Sequence, residues 1–126
     1  MNNEKTKLQL NKSHEGRLQD SLKRTVLIND FLRKYFIGGK VVITPLVECL
    51  DENVFMELIE KVQNFDAFTE GNDPYGEHDF GSVDVNGKRY YWKIDYYNTD
   101  FTEHSEDKSD PSITERVLTI MRADEY

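Results

Sequence analysis

Val83-Asp84-Val85-Asn86-Gly87-Lys88-Arg89-Tyr90-Tyr91-Trp92-Lys93-Ile94 sets the architecture of this chain. Asn-Gly between two β-rich runs predicts a two-residue type I′ turn, because both central residues of that turn need positive φ and these two residue types tolerate it. The turn fixes a register, with Val85 opposite Lys88, Val83 opposite Tyr90, Phe80 opposite Lys93 and His78 opposite Asp95. One face of the hairpin then carries Val83, Val85, Tyr90, Trp92 and Ile94 and is the core side. The other carries His78, Phe80, Ser82 and Asp84 with Arg89, Tyr91, Lys93 and Asp95. Strict alternation would put Asp79 on the apolar side, so a bulge or the start of the strand is expected there.

Working outward, Arg116-Val117-Leu118-Thr119-Ile120-Met121 is apolar on both faces and predicts a central strand. Between it and the hairpin lies a polar, acid-rich loop, Asn98 to Ser112, long enough to act as a lid or binding loop. On the N-terminal side, Phe55, Leu58, Ile59 and Val62 share one face of a helix capped by Asp51, and Phe65 and Phe68 pin its exit to the core. Val41-Val42-Ile43 reads as a short strand closed by Thr44-Pro45, where Thr44 caps a turn and Pro45 fits its first position. Leu18, Leu22, Val26, Phe31, Leu32 and Tyr35 recur at helical spacing and predict an amphipathic helix that stops at Gly38-Gly39. Residues 1–14 are polar and aperiodic, the pattern of a mobile tail. The expectation is one α+β domain over 15–126: an antiparallel sheet of about four strands with two helices packed on one face.

A chain of 126 residues supports one core without disulfide or metal staples. Its single cysteine, Cys49, cannot form an internal bridge and sits in an apolar stretch, so a buried structural thiol is expected. No leader pattern and no membrane-length apolar run are present, which points to the cytoplasm. The net charge of −8 is unevenly spread. Residues 1–40 carry nine Lys or Arg against four acids, a balance of +5, and the rest carries seven against twenty, a balance of −13. Phosphates would be repelled by the body of the domain, so direct nucleic-acid binding is not expected.

The candidate site is Asn72-Asp73-Pro74-Tyr75-Gly76-Glu77-His78-Asp79-Phe80-Gly81, where aromatic, acidic and histidine side chains crowd a turn. If the domain were an enzyme, His78 opposite Asp95 would be a general base with its orienting carboxylate, and Lys93 would stabilise negative charge. Ser82 lies too far along the strand to serve as nucleophile. Glu77, His78, Asp79 and Asp95, with Asp73 nearby, would be the ligands of a divalent metal, although one histidine is fewer than zinc sites use. The bland alternative is a hydrogen-bonded turn that locks the sheet. The acids Asp100, Glu103, Glu106, Asp107 and Asp110 would offer negative charge to a basic partner, and Tyr75, Tyr97 and Phe101 the rigid contact area found at protein interfaces.

The 72–81 stretch, Trp92-Lys93-Ile94-Asp95-Tyr96-Tyr97, Ser105-Glu106-Asp107 with Asp110-Pro111, and the closing Arg116 to Met121 and Glu125-Tyr126 together resemble a small bacterial family called domain of unknown function 3768, over about residues 26–126. That resemblance implies no defined chemistry. It implies cargo of plasmids, prophages and other mobile elements, and hence an accessory or anti-defence role. The leading expectation is a protein-binding module, an inhibitor or modulator of a nucleic-acid-handling complex, without cofactor and without membrane contact. Its contact residues would be Tyr75, Glu77, His78, Asp95, Tyr97, Glu106 and Asp107. The alternatives are a small hydrolase or transferase built on His78 and Asp95, and a purely structural motif.

Overall fold

The computed structural model describes the backbone of residues 3–126 and the side chains of residues 15–126. The chain runs α1 (Asn3–Tyr35), β1 (Lys40–Ile43), α2 (Pro45–Glu48), α3 (Glu52–Gln63), β2 (Phe80–Val85), β3 (Lys88–Tyr97), β4 (Glu115–Arg122) and a closing 3-10 turn, Ala123–Glu125. The class is α+β with a four-stranded sheet in the order β1-β4-β3-β2.

The hairpin register is the one that the Asn-Gly turn dictates. Phe80 pairs with Lys93, Val83 with Tyr90 and Val85 with Lys88, and both Asn86 (φ 52°) and Gly87 (φ 76°) take the left-handed conformation. The strand Glu115–Arg122 is central, flanked by β3 on one side and β1 on the other. Trp92 stands opposite Ile120 and Ile94 opposite Leu118. These four side chains form one buried cluster with Leu32 of α1, Val47 of α2 and Leu58 and Val62 of α3. Phe65 extends it, edge-on to Trp92 at 5.5 Å and to Phe68 at 4.9 Å.

The sheet is mixed rather than antiparallel, because β1 runs parallel to β4, with Val41 beside Leu118 and Ile43 beside Ile120. Hydrophobic alternation reports which face a residue occupies and carries no information about strand direction, and the partner of β1 lies at the far end of the chain. The first helix also differs from expectation. It starts at Asn3, so the backbone of residues 3–14, read as a mobile tail, is helical; Met1 and Asn2 lie outside the described residues. It ends at Tyr35 rather than at Gly38-Gly39, with Phe36 itself left-handed (φ 56°) and its N–H donating to Leu32 O at 2.8 Å.

The face that α1 buries is the larger surprise. Thr25, Asn29, Leu32 and Arg33 are buried, while Leu18, Leu22, Leu27, Phe31 and Tyr35 are exposed. The buried face is therefore largely polar, with Leu32 its apolar member, while several apolar side chains lie outward, unlike the single apolar stripe of an ordinary surface helix. Cys49 is exposed, not buried, because Val47 is the residue of α2 that turns into the core. Thr44 and Asp51 occupy the N-cap positions of α2 and α3, but neither side chain makes the capping bond; Thr44 Oγ1 bonds Glu125 instead, at 2.7 Å.

Candidate functional site

The inward polar face of α1 meets the 72–79 turn, the last residues of β3 and the first of β4, and builds a buried hydrogen-bonded network. The turn organises itself first. Asp73 is buried, and its Oδ1 accepts the backbone N–H groups of Glu77 at 3.0 Å and His78 at 3.3 Å. Asn72 holds the entry, donating to Ala67 O at 2.9 Å and accepting from Thr69 N at 2.9 Å. Gly76 (φ 68°) and His78 (φ 57°) then take left-handed backbone, which histidine seldom does, and swing the chain out of the hairpin plane before β2 starts at Phe80.

Asn29 of α1 is the hub. Its Nδ2 donates to Glu77 O at 3.0 Å and to Tyr96 Oη at 2.7 Å, while its Oδ1 accepts from Arg116 Nε at 2.8 Å. Tyr96 Oη in turn donates a hydrogen bond to Asp79 Oδ2 at 3.0 Å. Burial raises the pKa of Asp79 above the usual carboxylate range, the Tyr96 hydroxyl pulls it partly back, and the nearby Glu77 charge adds to the rise. Burial likewise raises the Tyr96 phenol, with the Asp79 charge next in weight. The Arg116 guanidinium lies over the Tyr96 ring at 5.1 Å and also donates to Lys108 O; burial lowers its pKa. Lys108 pairs with Glu77, which ties the acid-rich loop to the turn.

His78 does not face Asp95. The backbone reversal at His78 takes its ring to α1, where Nδ1 lies 2.9 Å from Asp30 Oδ1 and the imidazole stacks flat on Phe68 at 3.7 Å. Asp95 stays on the outer face of the sheet, paired with Lys93 at 3.0 Å, and Tyr97 shares that face by alternation, close to Phe101 and His104. The seven expected contact residues therefore separate. Tyr75, Glu77 and Asp107 line one cleft of about 280 Å³ together with Leu18, Ser21, Leu22 and Thr25 of α1. Glu106 lines an adjoining cleft with Tyr96, His104 and Lys108. His78 opens into a third, and Asp95 and Tyr97 belong to the far side of the sheet. Glu77, His78, Asp79 and Asp95 do not converge, and among the described residues no three His, Cys, Asp or Glu side chains are placed to hold a metal ion.

The acidic loop is largely a chain of turns. Asp100 accepts from Thr102 Oγ1 at 2.7 Å, Asp107 from Ser109 Oγ at 2.6 Å and Asp110 from Ser112 Oγ at 2.6 Å. These bonds lower the pKa of Asp100 and of Asp107. The signal was present in the sequence as Asp-x-Ser/Thr written three times, Asp100-Phe101-Thr102, Asp107-Lys108-Ser109 and Asp110-Pro111-Ser112. Asn29, Asp30, Arg33 and Arg116 were missed altogether. Asn29 and Arg33 sit one turn apart on a helix, a spacing that would have put them on one face had the apolar residues not suggested another.

No helix among the described residues is long and apolar enough to cross a membrane. Residues 43–125 match the family model described as Protein of unknown function (DUF3768), and the chain belongs to that family. Comparison with curated proteins and with solved structures gives no match.

Proposed function

We propose that this chain is a protein-binding module whose contact surface is the cleft between α1, Tyr75 and the Asp107–Ser109 turn. The observation that carries the reading is Tyr75, which stands 78% exposed on a turn fixed by Asp73, beside Leu18 (60% exposed) and Leu22 (41% exposed). A rigid aromatic flanked by aliphatic residues and rimmed by Glu77, Asp107 and Lys108 has the composition of an interface centre with a polar rim. The network beneath it supplies rigidity, so little ordering entropy is lost on binding.

Within this reading the two long helices back one face of the sheet, supported by Leu32, Leu58 and Val62 sharing a cluster with Trp92 and Leu118. The −13 balance of residues 41–126 favours a partner with a basic surface, as nucleic-acid-handling proteins present, and the module would act on such a complex as inhibitor or modulator. An exposed unpaired Cys49 fits a reducing cytoplasm.

An enzymatic reading is favoured by one feature, the His78 imidazole clamped between Asp30 and Phe68. The cleft it opens into is lined by Asp30, Arg33, Lys34, Gln63, Asn64, Phe65, Asp66 and Phe68, with no Ser, Thr or Cys among them, so His78 would have to activate water. The discriminating experiment is a nuclease-treated affinity capture followed by reconstitution with the purified partner. Tyr75→Ala should weaken the partner at least about tenfold and His78→Ala leave it within about twofold, the pattern of an anchor residue outside the His78 cleft. The opposite pattern would move the site to His78.

A further inference from the structure

We propose that the cleft between the C-terminal part of α1 and the exit of α3 binds a small oxyanion, a carboxylate or a phosphate group, through Arg33, His78 and Lys34. The cleft has a volume of about 340 Å³. Its floor is Arg33, only 1% exposed, whose guanidinium carbon lies 5.3 Å from the Phe68 ring centre and 5.2 Å from that of Trp92. A guanidinium has five N–H donors and no acceptor. Nη1 donates to Asp30 Oδ1 at 2.9 Å, and Nε is buried without an acceptor.

That Asp30 oxygen is shared, because His78 Nδ1 approaches it at 2.9 Å as well. One carboxylate oxygen therefore serves two donors. The other ring nitrogen of His78, Nε2, is 3.9 Å from Asp73 Oδ2, beyond hydrogen-bond reach. Lys34 stands exposed at the mouth, and the side-chain amides of Gln63 and Asn64 add both donors and acceptors along the wall; besides Asp30 and the nearby Asp73, Asp66 is the acid there, exposed at the rim. The donors open to a ligand are the unpaired Arg33 Nε–H, the Lys34 ammonium and, once the imidazole is protonated, His78 Nε2–H, and a buried arginine so placed favours a planar or tetrahedral oxyanion that it can engage with more than one N–H. Asp30 and the Phe68 stack hold Arg33 and His78 in position before any ligand arrives. This site is independent of the Tyr75 surface.

The test uses NMR of the full chain, following the Arg33 Nε–H and His78 ring resonances while inorganic phosphate or acetate is titrated against a sodium chloride control of matched ionic strength. The proposal expects saturable shifts with a Kd below about 1 mM for one of the two anions. Saturation by phosphate alone assigns a phosphate group, and saturation by acetate alone a carboxylate. Arg33→Lys should weaken binding at least about tenfold, since an ammonium cannot reproduce the fork. Should Arg33→Lys fail to fold, His78→Gln and Lys34→Glu carry the test, each expected to weaken binding several-fold, Lys34→Glu with the thermal midpoint retained and His78→Gln with a lower one, since it loses the Phe68 stack. Shifts that match the chloride control, or wild-type affinity in both of these variants, would overturn the assignment.

Discussion

Tyr96→Phe removes one oxygen atom from the network that joins α1 to the sheet. In the native protein that hydroxyl accepts from Asn29 at 2.7 Å and donates to Asp79 at 3.0 Å, in a setting where burial dominates the ionisation of both Tyr96 and Asp79. Two hydrogen bonds at about 1 kcal/mol each are lost, and Asp79 is left without its donor, a penalty of about 1–3 kcal/mol that protonation of the carboxyl partly offsets. Asn29 keeps its bonds to Glu77 O and Arg116, and its second amide N–H loses its acceptor. The expected net loss is about 2–3 kcal/mol, or about 8–12 °C in Tm for a domain of this size. Urea unfolding at pH 7, followed by tryptophan fluorescence of the buried Trp92, measures it directly. A loss below about 0.5 kcal/mol would refute the view that this network bears on stability.

Three further expectations follow from the same geometry. The folded-state pKa of Asp79 is raised, so the folded protein binds more protons than the unfolded one between the ordinary Asp value and the raised value; its contribution to stability is therefore full below that window and is lost as pH rises through it. Asp79→Asn, which can still accept from Tyr96, should remove this slope and gain stability relative to wild type on going from about pH 4 to pH 7; parallel stability-against-pH curves would contradict the assignment. Gly81→Ala would put a methyl carbon 2.5 Å from Trp92 Nε1 and 2.8 Å from Phe65 Cζ, so a loss of about 1–3 kcal/mol is expected, and a neutral variant in chemical denaturation would mean that the Phe65–Trp92 packing is misplaced. Cys49 should react with a thiol reagent in the folded protein as fast as in urea, and a slow native reaction would show it covered.

Local chemistry made the hairpin legible. Asn86-Gly87 demands a particular turn, the turn fixes the register, and alternation then assigns Trp92 and Ile94 inward without any knowledge of the rest of the molecule. The same logic failed two residues before β2, because His78 adopts a left-handed backbone that only its contacts with Asp73, Asp30 and Phe68 sustain, and none of these can be read from strand periodicity. It failed again at β1, whose parallel partner lies across the whole length of the domain. On α1 the hydrophobic pattern placed Leu32 correctly in the core but not Leu18, Leu22, Phe31 or Tyr35. Asn29 is buried because Arg116, Tyr96 and Glu77 satisfy it, and Arg33 is buried with one N–H on Asp30 and its Nε unpaired, while Leu27, Phe31 and Tyr35 remain in solvent. Most polar atoms of the 72–80 motif are spent within the fold. What it leaves outward is Tyr75, and beside it the turn at Asp107, whose carboxylate is itself engaged by Ser109. For that reason Glu106→Lys, not Asp107→Lys, is the charge reversal expected to leave stability untouched.

The most direct measurement is the affinity of the captured partner for wild type, Tyr75→Ala and Glu106→Lys by titration calorimetry, with thermal melts of each variant alongside. A protein-binding surface at Tyr75 predicts a loss of at least about tenfold for Tyr75→Ala, a smaller and salt-dependent loss for Glu106→Lys, and melting temperatures equal to wild type. Affinity unchanged in Tyr75→Ala, with a partner that binds stoichiometrically to wild type, would contradict it.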